Sequence, residues 1–163
     1  MGMFTIKVNL DLGELEDALE RLMDAGHDMT PLTRNISEIM YDATARAFQA
    51  EQSPDGKKWA PLTALTLSRR KGKGKILAPT GGASGLRGSI QAEHDATSAR
   101  VGTNRIYAGP HQFGARKREF KGVAPWGDLP ARPYLGIGEE DEMEIQDAMR
   151  CYIEDAIYGR RWL

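Results

Sequence analysis

The sequence predicts an α+β fold: an N-terminal strand and helical hairpin, a small antiparallel sheet with long basic loops, and a C-terminal helix. Three patterns carry that expectation. Apolar residues recur at steps of three and four in three separate stretches, alternate at steps of two near the N-terminus, and between residues 76 and 107 come in short runs broken by Gly, Asp and Asn. A length of 163 residues suits one domain, and no repeat or long linker divides it, so residues 1–163 are read as one unit.

Phe4, Ile6, Val8 and Leu10 alternate with Thr5, Lys7 and Asn9, the period of a strand with one buried face. Asp11 with Glu14 three residues on has the form of a capping box. Leu12, Leu15, Leu19 and Leu22 then mark the apolar face of a helix that Gly26 closes. Thr30 before Pro31 repeats the start signal, because proline at the first helical position gives up no needed hydrogen bond. Leu32, Ile36, Ile39, Met40, Ala43 and Ala47 carry this second helix to about Gln52. It follows the first in hairpin order.

Ser53-Pro54-Asp55-Gly56 fits a type I turn, with Trp59 and Leu62 as anchors behind it. Residues 63–70 suit a short helix, whereas Lys71-Gly72-Lys73-Gly74-Lys75 is all charge and flexibility. Residues 76–77, 86–92, 99–103 and 106–107 read as the short strands of the sheet, and residues 116–127 as a basic loop. The acidic run at residues 139–142 sits where a helix dipole favours negative charge. Ile145, Met149, Tyr152, Ile153, Ala156 and Ile157 form the apolar face of that last helix, Gly159 ends it, and Trp162-Leu163 is an apolar tip.

Hydrophobic residues make up 40% and charged residues 28%, the balance of an ordinary globular chain. No apolar stretch approaches a bilayer span, and no basic region followed by an apolar core opens the chain, so neither a membrane partner nor a secretory address is expected. The net charge of −1 conceals segregation. Residues 1–51 hold ten acids and four bases (−6), residues 52–138 five acids and fifteen bases (+10), and residues 139–163 eight acids and three bases (−5). Opposite potentials on different faces favour head-to-tail self-association or contact with a polyanion.

The residues offer little to a catalytic reading. His27, His94 and His111 share no metal-ligand spacing with one another or with Cys151. A single cysteine on a helix suits a reduced compartment and a packing role. There is no Gly-x-Ser-x-Gly elbow, and Ile76 stands where a phosphate-binding loop would need Ser or Thr. No enzyme, metal or cofactor is expected. The candidates are for contact instead: Arg69, Arg70, Lys71, Lys73 and Lys75 in one basic stretch, and Arg116, Lys117 and Arg118 in another, able to meet phosphates without reading sequence. His111 and Phe113 are further interface candidates, and His111 also fits a histidine hydrogen-bonded within its own loop. Pro130-Ala131-Arg132-Pro133 is an extended, rigid run that directs Arg132 and Tyr134 either to a neighbour or inward.

Four motifs occur in order: Phe48 with Ser53-Pro54-Asp55-Gly56 and Trp59; Ile76-Leu77, then Thr80-Gly81 through Leu86 to Ser89-Ile90; Tyr107-Ala108 with His111-Gln112-Phe113-Gly114; and Pro130-Ala131-Arg132-Pro133 with Tyr134 and Leu135, before an acidic helix. In this order they resemble the phage virion morphogenesis family, the tail completion proteins of Mu-like contractile-tailed phages. One departure is Gly82-Ala83-Ser84-Gly85, which lengthens the spacing from Thr80-Gly81 to Leu86. The resemblance implies a virion structural protein of the tail or neck, assembled in the host cytoplasm. It implies a homo-oligomeric ring, a hexamer, that caps the head-proximal end of the tail tube and meets head-tail connector proteins. It carries over no catalytic residues. Trp162 and Leu163 join the basic loops as candidates for segments that order on assembly, with nonspecific DNA contact in a ring lumen as a further possibility. The alternative reading is a nonspecific nucleic-acid-binding factor used in virion assembly.

Overall fold

The computed structural model describes residues 13–70, 74–78, 85–116 and 128–160. The strand expected over residues 4–10, Asp11, Leu12, Thr80-Gly81 and the loop residues 117–127 lie outside the described residues. Lys71, Lys73, Lys117, Arg118, Trp162 and Leu163 lie outside them as well. Among the described residues stand helices α1 (Gly13–His27), α2 (Thr30–Ala50), α3 (Ala64–Arg69), α4 (Ala108–Phe113) and α5 (Glu139–Tyr158), and strands β1 (Gln91–His94) and β2 (Ala99–Gly102). None of these helices is long and apolar enough to cross a membrane.

The α+β class holds. Helices α1 and α2 follow one another through Asp28-Met29, where the Asp28 carboxylate accepts from Thr30 N at 3.0 Å. α5 packs against both α1 and α2, and the hairpin of β1 and β2 covers another side of α2. The tie between α1 and α5 is antiparallel: Arg21 Nη2 donates to Ile157 O at 2.9 Å, while the Tyr152 hydroxyl lies 2.9 Å from both Ala25 O and Asp28 O. α2 and α5 also run antiparallel, because Arg46 near the end of α2 pairs with Asp141 in the first turn of α5. β1 and β2 pair in antiparallel register from Gln91 opposite Gly102 to His94 opposite Ala99. Asp95 holds their turn by accepting from Thr97 N and Ser98 N, each at 2.8 Å. The Ser98 hydroxyl, which donates to Asp95 Oδ2 at 2.6 Å, and then the bonds from Thr97 hold that carboxyl well below the usual range.

Most helix ends match their local signals. Thr63 caps α3 by accepting from Thr66 N, and Gly159 closes α5 in the left-handed conformation. Gly56 N donates to Ser53 O at 2.8 Å, closing the expected turn. Other expectations fail. Residues 76–77 form a bend, residues 86–89 a 3₁₀ turn (Arg87–Ser89), and Ile106-Tyr107 the turn into α4; among the described residues only 91–94 and 99–102 pair as strands. Leu15 and Leu19, expected on a buried face, are exposed: among the described residues α1 has only α5 as a broad neighbour, and it turns Ala18, Leu22 and Ala25 inward. α1 buries no residue fully. Cys151, expected to pack, is exposed on the outer side of α5.

The core sits at the other end, where Ala47 and Phe48 of α2 meet Trp59, Leu77, Leu86, Ile90, Ala108 and Tyr134. The start of α5 is seated there through glycine. Gly138 N donates to Asp141 Oδ2 at 2.8 Å, a one-sided capping contact since glycine has no side chain to return it. A Cβ on Gly138 would stand 2.7 Å from Pro54 O and 3.2 Å from Asp141 Oδ2. Gly138→Ala is therefore expected to destabilise the fold by about 1–3 kcal/mol through overpacking against main chain. An unchanged urea midpoint would show that the Ser-Pro-Asp-Gly turn moves freely relative to α5.

Candidate interaction surfaces

Three of the four motifs converge on one knot at the core end. The rings of Phe48 and Trp59 meet edge to face at 5.8 Å and 84°, and Phe48 lies 5.3 Å from Tyr134. Trp59 Nε1 donates to Pro133 O at 2.7 Å, and the Tyr134 hydroxyl reaches toward Ala108 O at 3.4 Å. Arg132 is buried, with Nε donating to Ala60 O at 2.9 Å and Nη2 to Pro61 O at 3.1 Å. Gln112 substitutes for a strand: its Oε1 accepts from Tyr134 N and Leu135 N, both at 3.0 Å, and its Nε2 donates to Leu135 O at 2.8 Å. The remaining motif enters the same core through Leu77, Leu86 and Ile90. Arg132 and Tyr134, named from sequence as contact candidates, are thus occupied inside the subunit.

His111 lies half-buried in α4, edge-on to Tyr107 at 6.1 Å. Its main chain is bonded locally, with N donating to Tyr107 O and O accepting from Arg132 N at 2.8 Å. The ring's Nδ1 is buried and, among the described residues, has no hydrogen-bond partner. Burial, reinforced by the charges of Arg132 and Arg70, pushes its pKa below the free value of 6.5. The folded chain accepts the neutral ring, so this contribution to stability is intact above pH 6.5. It declines as the pH falls below that value, where the unfolded chain takes up the proton more readily, and levels off below the lowered folded pKa. His111→Gln is expected to flatten that part of the slope of urea midpoints between about pH 5 and 7; an unaltered slope would show that the burial does not bias the ring.

The basic candidates divide in the same way. Arg70 Nη1 donates to Lys75 O and Ile76 O at 3.0 and 3.1 Å, and Lys75 Nζ donates to Gln49 O at 2.5 Å. These groups hold loop to helix. Arg69 and Arg116 are exposed. Phe113 is 81% exposed at the end of α4, and Ile106, which sequence reasoning placed in a strand, is 96% exposed. Pro110 and Phe113, three residues apart, share the outer side of α4, and Ile106 lies in the turn that leads into it, while Ala108, His111 and Gln112 face the knot. Proline in the first helical turn was the one local signal for α4, since its missing N–H is not needed there.

The sequence profile of the phage virion morphogenesis family matches residues 10–154. The chain belongs to that family. It is 34% identical over 152 residues to the Mu-like prophage FluMu G protein 2 of Haemophilus influenzae, covering 93% of this chain and 97% of that one. It is 30% identical over 158 residues to the putative capsid assembly protein G of Escherichia phage Mu, covering 93% and 96%. It is 26% identical over 125 residues to the tail completion protein S of Escherichia phage P2, covering 76% and 83%. No solved structure matches the chain. In this virion morphogenesis protein the motif residues that suggested the family, Trp59, Gln112, Arg132 and Tyr134, build the interior of the subunit. Exposed large apolar side chains lie elsewhere, on α1, α3 and α5 and around α4 among other places.

Proposed function

We propose that this protein is a tail completion component, a ring subunit, sixfold in number, that caps the head-proximal end of the tail tube and prepares it to join the filled head. It works by assembly with tail tube and head-tail connector proteins rather than by turnover. The observation that carries this reading is the division of the surface from the interior: the motif residues are consumed in building the core, while large apolar side chains, Leu15, Leu19, Met23, Ile106 and Phe113 among them, remain exposed. Likeness to the P2 tail completion protein supports the tail over the capsid. The Mu relative, described as a putative capsid assembly protein, makes the head the competing assignment.

Loss of the gene from a producing phage separates the two. Electron microscopy of the lysate is expected to show filled heads and full-length tails that fail to join, with both restored to particles when the protein is supplied. Absent or malformed heads would overturn the tail assignment in favour of the head. A second reading, nonspecific DNA contact, draws on the exposed Arg69, Arg100, Arg105 and Arg116 in the basic central segment. Equal mobility of duplex DNA at low salt with and without excess protein would remove it.

A further inference from the structure

Two exposed apolar faces of opposite electrostatic setting stand toward opposite ends of the subunit. On α1, Leu15, Leu19 and Met23 recur every four residues and form one outward stripe, with Met23 65% exposed. Glu16 and Glu20 border it one helical step round, in a helix whose 15 residues hold five acids and one arginine. At α4, Ile106 in the turn that leads into the helix and Phe113 at its end are exposed, with the exposed Arg105 and Arg116 just outside them in the chain. α1 joins the C-terminal half of α5 through the bonds at Tyr152 and Ile157. α4 belongs to the knot around Phe48 and Tyr134 and is bonded to Leu135, four residues before the other end of α5. The two faces are therefore offset by about the length of α5, roughly 30 Å at 1.5 Å per residue.

We propose that the acidic-edged Leu15/Leu19/Met23 stripe of one copy packs on the basic-edged Ile106/Phe113 face of the next copy. The proposal rests on the reading of the protein as a self-assembling virion component, and it names the surfaces. A symmetric pairing of either face with itself would place like charges together: Glu16 and Glu20 against their own counterparts, or Arg105 and Arg116 against theirs. Pairing the two unlike faces buries both apolar patches and matches the charges around them. Because the faces differ and lie apart, the contact is heterologous. It leaves each copy with one face unused, so it repeats from copy to copy and closes into a ring where the rotation permits.

The test uses two variants of the whole chain, Leu19→Glu with Met23→Glu, and Ile106→Glu with Phe113→Glu. All four side chains are exposed, so each variant is expected to keep the wild-type melting temperature; Gln in place of Glu provides a milder pair should either fail to fold. Sedimentation velocity of the wild type is expected to show concentration-dependent association, weakened at least tenfold in each variant alone. An equimolar mixture of the two is expected to form a 1:1 dimer and nothing larger. The first variant retains its α4 face and the second its α1 stripe, which leaves one workable contact. A wild type that stays monomeric to about 1 mM overturns the proposal, as does a mixture that stays monomeric. Loss of association in the α1 variant alone would point to a symmetric stripe contact and overturn it too. A fall in melting temperature of the α1 variant, with association unchanged, would show that the stripe is covered within its own chain. Incorporation of each variant into purified particles separates the two claims. Wild-type incorporation of both, with normal association, refutes the surfaces and leaves the virion role standing; a confirmed contact in a wild-type protein absent from particles refutes the role.

Discussion

Replacing Trp59 by alanine is expected to lower the unfolding free energy by about 3–5 kcal/mol. The ring is buried where the Ser-Pro-Asp-Gly turn, the end of α2 and the Pro-Ala-Arg-Pro segment meet, and it touches Phe48 edge to face at 5.8 Å. Truncation removes that contact, opens a cavity beside the fully buried Phe48 and Tyr134, and leaves Pro133 O without its indole donor. Trp59→Phe separates the contributions: it restores most of the apolar volume and leaves the carbonyl unpaired, for a residual cost of about 1–3 kcal/mol. Chemical denaturation gives both values. With domains typically stable by about 5–15 kcal/mol, the alanine variant is expected to be partly unfolded at growth temperature and depleted from particles for that reason. A wild-type denaturation midpoint in Trp59→Ala would show that the knot is dispensable.

Arg132→Met is expected to cost about 3 kcal/mol, through loss of two charge-assisted bonds to adjacent carbonyls, Ala60 O and Pro61 O. Burial works against its charge and the nearby Arg70 adds to that opposition, so the carbonyls are what hold the guanidinium in place. Arg132→Lys is expected to recover less than half of the loss, because one ammonium cannot reproduce a planar fork that reaches two successive carbonyls. Denaturation midpoints of the two variants test this. A stable Arg132→Met protein that fails only in association would return Arg132 to an intersubunit role, the alternative that the extended Pro-Ala-Arg-Pro segment also suggested.

Local signals made several elements legible before any tertiary contact was considered. α2 begins at Thr30-Pro31, α3 is capped by Thr63, and α5 runs from an acidic turn to Gly159, because capping and dipole effects act within one turn of the chain. The turn at Ser53 to Gly56 was readable for the same reason. α4 was not. Ala108-Gly109-Pro110-His111-Gln112-Phe113 holds two weak helix formers, and it is helical because Tyr134, Arg132 and Leu135, more than twenty residues on, bond to it.

The sequence by itself determined the family, through four ordered motifs, and the segregation of acidic ends from a basic middle, because both are properties of residue order. It also determined which helices are amphipathic, since periodicity places side chains on a face. Only the tertiary structure decided which of those faces are buried. Burial depends on what stands opposite: Leu15 and Leu19 are outside where α1 meets one broad neighbour among the described residues, and Arg132 and Tyr134 are inside because the carbonyls of residues 60 and 61 and the ring of Phe48 surround them. The antiparallel pairing of α1 with α5 carries the acidic stripe away from α4 and the arginines that flank it, Arg105 and Arg116, and that long-range packing is what turns a charge pattern along the chain into two separate surfaces.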